Sequence, residues 1–267
     1  MNTPAIEFRN VSLSFDSKRV LTDVSFLLGA GETLFLLGVT GSGKSVLLKL
    51  VLGLLKPDGG QVLIEGQDLV PLSEDVLQPL RRRMGIVFQE GALFDSLTVF
   101  DNVAYRLREE HLGDEAAIEQ RVREVLRFVE MEPAIEKMPA ELSGGMRRRV
   151  AIARTIISSP SIMLYDSPTG GLDPVTCQTI NLLIAKLRDL QHVTSVVVTQ
   201  RMQDAFVLAT SVFSPEMQTL VPILAGNDAA PRAPTRFLVL RDGGVHFHGD
   251  EWEFTHSPDP YLRKFLG

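Results

Sequence analysis

The chain has 267 residues, with 27 Lys and Arg against 33 Asp and Glu and a formal net charge of −6. That acidic balance argues against sequence-independent binding of nucleic acid, which depends on cationic side chains. A single cysteine, Cys177, excludes a disulfide within the chain and fits a reducing compartment. No apolar run reaches the roughly 20 residues of a membrane-spanning helix, and MNTPAIEFRN lacks the features of a secretory signal, so we expect a cytoplasmic chain.

Short strands alternate with helical segments along most of the chain. Residues 99–158 have helical periodicity throughout, which predicts an inserted helical subdomain, and a further helix is predicted over 174–190. Such alternation predicts a parallel sheet covered on both faces. The segments whose pattern predicts strands are 6–15, 24–28, 33–37, 61–64, 84–88, 162–165 and 194–199.

Towards the C-terminus the pattern changes. Segment 211–236 contains four prolines and little periodicity, which predicts an extended surface loop. Strands at 237–240 and 245–247 are then expected to form a hairpin. His246 and His248 are expected to share one face of the second strand. Because the sequence indicates no third ligand near them, we do not expect a metal site there.

The segment GVTGSGKS, residues 38–45, lies between a predicted strand and a helical run, the context of a phosphate-binding loop, or P-loop. Its glycines let the backbone turn its N–H groups towards phosphates. Lys44 is predicted to reach the β- and γ-phosphates of a nucleotide, and Ser45 to bind Mg²⁺ through its hydroxyl. The residues of this region expected to contact the nucleotide are Gly38, Thr40, Gly41, Ser42, Gly43, Lys44, Ser45 and Val46.

A second glycine-rich element, LSGGM, begins another predicted helix. Ser143 is a good N-cap, and Gly144 and Gly145 leave bare N–H groups at the start of the helix. Alone, this segment is typical of an ordinary loop; beside a P-loop it predicts a second contact with phosphate. One copy cannot easily bring both elements to one nucleotide, whereas two copies arranged head to tail can, so we expect a homodimer in the ATP-bound state.

Together these motifs resemble the nucleotide-binding subunits of ABC transporters. GVTGSGKS is similar to Walker A, LSGGM to the signature, IMLYD to Walker B, and GGLD to the D-loop. The resemblance implies an α/β P-loop NTPase of ABC ATPase type, with a parallel-sheet core, N-terminal antiparallel strands and one domain over 1–267. Within it, the Q-loop and helical subdomain span about 89–158 and the tail about 250–267. The resemblance further implies adenine stacking by Phe15, Mg²⁺ binding by Ser45, Gln89 and Asp166, and contacts from Ser143, Gly144, Gly145 and Asp173 across the dimer.

Within that family, the segments at 88–105 and 257–267 resemble the Mla-type, or MCE-associated, lipid-trafficking ATPases, as does ELSGGMRRRVAIAR. This implies phospholipid-type trafficking between bacterial membranes and a peripheral position on the cytoplasmic face of the inner membrane. The implied partners are integral-membrane permease subunits, a second copy of this chain and an MCE-type lipid-binding protein. The tail from about residue 257 is expected to contact the neighbouring copy or the permease. No nucleic-acid partner is expected, because the chain has neither a coiled-coil insertion nor a second cassette.

Two residues depart from the family pattern. Ser167 stands where the family carries its general-base glutamate, and Gln200 stands where it carries its switch histidine. The candidate catalytic residues are these two together with Lys44 and Gln89. Two hypotheses follow, a slow ATPase that drives transport, or a degenerate cassette that binds ATP and scarcely hydrolyses it. The arginine runs at 81–83 and 147–149 are expected to form mainly solvated helix faces.

Overall fold

Apolar alternation along the chain produces two main β-sheets and two cores. A computed structural model describes residues 3–223 and 234–266, and these contain twelve strands and nine α-helices. The strands are β1 (Ile6–Phe15), β2 (Lys18–Leu28), β3 (Thr33–Leu37), β4 (Gly59–Ile64), β5 (Gln67–Asp68), β6 (Met84–Val87), β7 (Ile162–Asp166), β8 (Thr194–Val198), β9 (Ser211–Ser214), β10 (Thr219–Pro222), β11 (Thr235–Arg241) and β12 (Gly244–Asp250).

The helices are arranged around these sheets. They are α1 (Lys44–Val51), α2 (Glu74–Arg81), α3 (Val99–Glu109), α4 (Glu115–Phe128), α5 (Gly144–Ile156), α6 (Pro174–Gln191), α7 (Met202–Thr210), α8 (Glu251–Thr255) and α9 (Pro260–Leu266). In the described part of the chain, none of them combines the length and apolar character that crossing a bilayer requires.

The central sheet has six strands in the order β12-β11-β3-β8-β7-β6. Five run parallel, and β12 pairs antiparallel with β11 at one edge. A separate antiparallel sheet has the order β2-β1-β4-β5. The predicted α/β architecture, with a mostly parallel core and N-terminal antiparallel strands, is confirmed.

The two faces of the central sheet pack against different partners. On β3, Phe35 and Leu37 face a core shared with α3, α4, α5 and α6. Leu34 and Leu36 face a second core, formed with the antiparallel sheet and α1. Because every residue of β3 is buried, this strand has no solvent-facing side, as expected for a central parallel strand.

The predicted helical block is confirmed as three capped helices. Thr98 Oγ1 accepts a hydrogen bond from Asp101 N at 3.1 Å at the start of α3. Asp114 Oδ1 accepts one from Ala117 N at 2.8 Å at the start of α4. Such caps satisfy backbone N–H groups that the helix leaves without a partner, and therefore determine where each helix begins.

The prediction of one extended loop over 211–236 is wrong for its first part, because β9 and β10 form an antiparallel hairpin. The hairpin is anchored by α6, where Arg188 donates to Ser211 O at 2.7 Å and Asp189 Oδ2 accepts from Phe213 N at 2.8 Å. These contacts join residues distant in sequence, so local composition does not indicate them. Residues 224–233, the middle of the predicted loop, lie outside the described residues.

The expectation that His246 and His248 share a face is also wrong. Phe247 and Val245 pair with consecutive residues of β11, which leaves His246 as the extra residue of a β-bulge. His246 Nε2 therefore lies 2.7 Å from Asp259 Oδ2 beside α9, whereas His248 packs against Phe26. The contact between His246 and Asp259 holds the segment before α9 against this chain's own sheet.

Candidate nucleotide-binding site

Four segments meet at the carboxyl edge of the central sheet. The strands β3, β8, β7 and β6 are neighbours, and they are followed by the P-loop, Gln200, Ser167 and Gln89 respectively. Parallel strands present their carboxyl ends at the same edge, where ligands of such sheets bind. This topology brings together residues that are far apart in the sequence.

These segments enclose a cavity of about 330 Å³, here named the P-loop cavity. Val20 and Val198 also line it, and sequence analysis missed both because they are ordinary apolar strand residues. The predicted site residues that line it are Thr40, Gly41, Gly43, Lys44, Ser45, Val46, Gln89, Asp166, Ser167 and Gln200.

Lys44 supplies the positive charge of this cavity. Its side chain is buried, with 7% of the residue exposed, and Nζ donates to Gly38 O at 2.9 Å and to Val39 O at 2.8 Å. Burial lowers the pKa of the ammonium, and the carboxylate of Asp166 opposes that shift. Because its hydrogen bonds within the loop go to neutral carbonyls, the charge remains available to an anion such as phosphate.

The loop conformation depends on glycine at two positions. Gly38 has φ 149°, and a Cβ there would lie 2.5 Å from Ser42 Oγ. Gly43, the N-cap of α1, has φ 98°, a region that other residues rarely adopt. The helix behind Gly43 then directs its free N–H groups at the cavity, which favours a bound anion.

Ser45 and Asp166 form the candidate magnesium site. Ser45 Oγ donates to Asp166 Oδ2 at 2.9 Å across 121 positions of sequence. Hydroxyl, carboxylate and amide oxygens are the hard ligands that Mg²⁺ prefers, and Gln89 lines the same cavity. The residues present therefore fit the predicted ion.

Ser167 and Gln200 lie at the carboxyl edge of the sheet. Both line the P-loop cavity, and Gln200 Nε2 donates a long hydrogen bond of 3.4 Å to Thr40 Oγ1. Ser167 follows directly on Asp166 and has a left-handed backbone, with φ 51°. Among the described residues that line this cavity, Lys44 and Asp166 are the only ionisable ones.

A second cavity of about 630 Å³ adjoins the first and shares Val20, Thr40, Gly41 and Val46 with it. Phe15, at the end of β1, lines this cavity and is 44% exposed. An exposed ring on a cavity wall is available for stacking, which supports the prediction for adenine. The charged side chains of Lys18 and Arg19 also line it, and sequence analysis did not single them out.

Comparison with known proteins identifies the family. A family model described as "ABC transporter" matches residues 21–170 of this chain, the part that contains the P-loop, the signature and Asp166. The chain belongs to the ABC transporter family. Two solved structures of the dimeric ATP-binding cassette MJ0796, one of them a post-hydrolysis state bound to ADP and Pi, resemble this ABC chain. Each has a TM-score of 0.76 and 30% identity, over 92% of this chain and 98% of that chain.

The relatives of this chain are named for the transport of different substrates. A probable ribonucleotide transport ATP-binding protein, mkl, from Mycobacterium leprae is 40% identical over 75% of this ABC chain. This chain spans only 58% of the length of that relative. The intermembrane phospholipid transport system ATP-binding protein MlaF of Escherichia coli is 32% identical, over 98% of this chain and 88% of its own length.

The signature of this ABC cassette lies away from its own P-loop. In the described residues, Ser143, Gly144, Gly145 and Asp173 are not among those that line either cavity. Ser143 Oγ accepts from Met146 N at 3.2 Å as the N-cap of α5. Asp173 caps α6, and its hydrogen bond from the Thr176 hydroxyl is the main reason that its pKa is lowered. One copy does not bring these predicted contacts to the nucleotide.

The prediction that the arginine run 147–149 is mainly solvated is wrong for Arg148, which is 4% exposed. Its guanidinium donates to Ser167 O at 3.1 Å and to Gln89 O. Three consecutive arginines on a helix point in three directions, and composition does not show which one faces inward.

Proposed function

We propose that this chain is the ATP-binding subunit of an ABC transporter that powers trafficking of phospholipid-type lipids between bacterial membranes. The observation that carries the ATPase role is the Ser45–Asp166 hydrogen bond beside buried Lys44, because it unites the groups that bind phosphate and Mg²⁺. The lipid cargo is supported by the phospholipid transport relative, whose match extends over nearly the whole chain. The match to the ribonucleotide transport relative spans a smaller part of both proteins.

The geometry suggests how each residue acts. The P-loop N–H groups and Lys44 bind the phosphates, while Ser45, Gln89 and Asp166 would hold Mg²⁺, which neutralises charge on the phosphoryl oxygens. Gln89 and Gln200 line the cavity with amide groups that can orient the attacking water. The Ser167 hydroxyl is a weak base near neutral pH, so we expect slow hydrolysis and a long-lived closed dimer.

A second candidate is a degenerate cassette that binds ATP and assembles the complex without appreciable turnover. The observation that favours it is Ser167 itself, because the structure gives the P-loop cavity no carboxylate other than Asp166 among the described residues. Turnover of purified protein separates the two functions. A rate indistinguishable from that of a Lys44→Ala variant, at saturating ATP, would establish the degenerate cassette.

Two copies are proposed to assemble head to tail around ATP. This accounts for a signature that lies outside its own P-loop cavity, since Ser143, Gly144 and Gly145 of one copy would complete the site of the other. Asp173 is exposed and would lie at the same interface. The solved structures of the cassette MJ0796 are dimeric, which supports assembly of two copies.

The proposed membrane partner is a permease subunit that binds the Q-loop side of the helical subdomain. A groove of about 570 Å³ there is lined by Phe88, Phe94 and Tyr105, all of which have exposed rings. A permease contact would place the chain on the cytoplasmic face of the inner membrane, in a complex with an MCE-type lipid-binding protein. The tail from about residue 257 would add contacts to the neighbouring copy or the permease.

The ATPase role is tested by measuring the ATP affinity and the turnover of a Lys44→Ala variant. Loss of a charged hydrogen-bond donor to phosphate costs roughly 1.5–3 kcal/mol, which weakens ATP binding by about 10- to 100-fold. Lys49→Ala is the matched control, since Lys49 is exposed on the same helix α1. Equal ATP affinity in the two variants would contradict the proposed site.

A further inference from the structure

Ser167 has a backbone conformation that is unusual for a residue other than glycine. It is the one non-glycine residue with positive φ among the described residues that line this cavity. A residue in the left-handed region persists only where its surroundings determine its conformation. The contacts that hold Ser167 therefore decide where the position next to Asp166 points.

Three hydrogen bonds hold this residue. Ser167 N donates to Val198 O at 3.0 Å, and Ser167 O accepts from Gly170 N at 3.0 Å. The third comes from a side chain, since an N–H group of Arg148 donates to Ser167 O at 3.1 Å. Val198 connects Ser167 to β8, and Arg148 is the side chain that connects it to α5.

The same guanidinium also donates to Gln89 O. Arg148 lies 19 positions from Ser167 and 59 from Gln89, yet it contacts the backbone of both residues. A planar guanidinium with several fixed donors suits this bridging role, whereas a lysine ammonium lacks the fork geometry. Burial lowers the pKa of this group, but a guanidinium stays charged in proteins.

The helix that carries Arg148 begins with the signature. Ser143 is the N-cap of α5, and Gly144 and Gly145 form its first turn. Further along α5, Arg154 donates to Gly91 O at 3.2 Å and to Ala92 O at 2.8 Å. Helix α5 therefore holds the segment 89–92 through two arginines, but only Arg148 reaches Ser167.

We propose that Arg148 is a positioning residue for ATP hydrolysis, which fixes the backbone of Gln89 and Ser167 and ties both to the helix that carries the signature. The role rests on the ATPase activity proposed above. It explains why a costly buried cation is placed behind the cavity wall, with neutral carbonyls as its hydrogen-bond partners.

The first test compares turnover of four full-length variants: Arg148→Gln, Arg148→Lys, Arg154→Gln and Arg149→Gln. Arg148→Gln should lower kcat by about 10- to 100-fold, because small misplacement of reacting groups has effects of this size, while KM and ATP affinity stay at the parent values. Arg148→Lys should retain part of the rate. Arg149, which is paired with Glu130, serves as the control on the same helix.

The second test does not depend on activity. In Arg148→Gln, backbone amide hydrogen–deuterium exchange should become faster in two sets of peptides, those that cover 89–92 and those that cover 166–171. In Arg154→Gln it should become faster only in the peptides that cover 89–92. If Arg148→Gln fails to fold, Arg148→Lys is measured in the same way. Unchanged exchange at 166–171 in a folded Arg148 variant, or a kcat equal to that of Arg149→Gln, would overturn the proposal.

The two tests also separate this inference from the proposed function. A parent chain that hydrolyses no ATP removes the ATPase proposal, and the exchange of 166–171 still decides whether Arg148 holds Ser167. An active parent whose Arg148→Gln variant loses ATP affinity in proportion to kcat would assign Arg148 to nucleotide binding and reject the positioning role.

Discussion

At the scale of single residues, the catalytic strength of the site depends on Ser167. The phosphate-binding and magnesium-binding groups are in place, with Ser45 Oγ hydrogen-bonded to Asp166 at 2.9 Å and Lys44 buried beside them. Phosphoryl transfer relies mainly on positioning and charge neutralisation, so these groups alone support some hydrolysis. A hydroxyl next to Asp166 adds little general-base catalysis.

Ser167→Glu should therefore raise kcat by about 10²–10⁴-fold, the usual contribution of a general base. Combination with Gln200→His should raise it further, since Gln200 lines the same cavity. Steady-state turnover at saturating ATP measures both effects, with Ser167→Gln as the control of similar size and no basicity. A parent rate that neither change improves would show that the catalytic groups lie elsewhere.

At the scale of elements, helix α5 joins the signature to the nucleotide site and packs closely on α6. A Cβ on Gly145 would lie 2.3 Å from Thr176 Cγ2, whereas one on Gly144 would lie 3.4 Å from Leu172 Cδ2. The two adjacent glycines thus serve different purposes. Gly145 allows the helices to approach, and exposed Gly144 leaves the start of α5 open to a partner.

Gly145→Ala should consequently destabilise the fold by about 1–3 kcal/mol, the usual cost of overpacking. Gly144→Ala should leave the free energy of unfolding nearly unchanged, because ordinary van der Waals contact is available to the added methyl group. Urea unfolding of both variants measures the difference. Equal stability of the two would mean that α6 shifts easily and that the close approach is not required.

At the scale of the whole molecule, the separation of the signature from its own P-loop cavity predicts assembly. Gly144→Asp should abolish the ATP-dependent dimer, because a carboxylate at the start of α5 would repel the partner's phosphates. Sedimentation with and without ATP and Mg²⁺ measures this, and monomer ATP affinity should stay unchanged. Gly59→Asp is the control, since Gly59 is exposed and has open space around it. A Gly144→Asp variant that still dimerises would contradict the head-to-tail arrangement.

The groove at Phe94 predicts the second interface of the molecule. Phe94 is 42% exposed, its ring centroid lies 4.7 Å from that of Tyr105, and the Arg154 guanidinium lies 5.4 Å above it. Phe94→Asp should abolish co-purification with integral-membrane subunits from native membranes while ATP affinity stays at the parent value. Leu190→Asp is the control, because Leu190 is an exposed apolar residue near the end of α6. An unfolded Phe94→Asp chain would assign this ring to the core instead.

Much of this molecule could be predicted from the sequence. The P-loop, the strand that precedes it, the helical block and Asp166 at the end of a strand follow from short local patterns, because glycine geometry, helix caps and strand periodicity act over a few residues. The interest of Ser167 and Gln200 followed instead from the family resemblance. Even the departures at Ser167 and Gln200 could be located, since they occur within otherwise regular motifs.

Tertiary structure alone decided the rest, because those features depend on contacts between distant segments. The β9–β10 hairpin is anchored by Arg188 and Asp189 of α6. His246 turns away from His248 because β12 has an extra residue relative to β11. Arg148 looks identical to its neighbours in sequence, yet the packing of α5 buries it against the backbone of Gln89 and Ser167. Side-chain direction on a helix, strand register and long-range hydrogen bonds are settled only when the elements pack together.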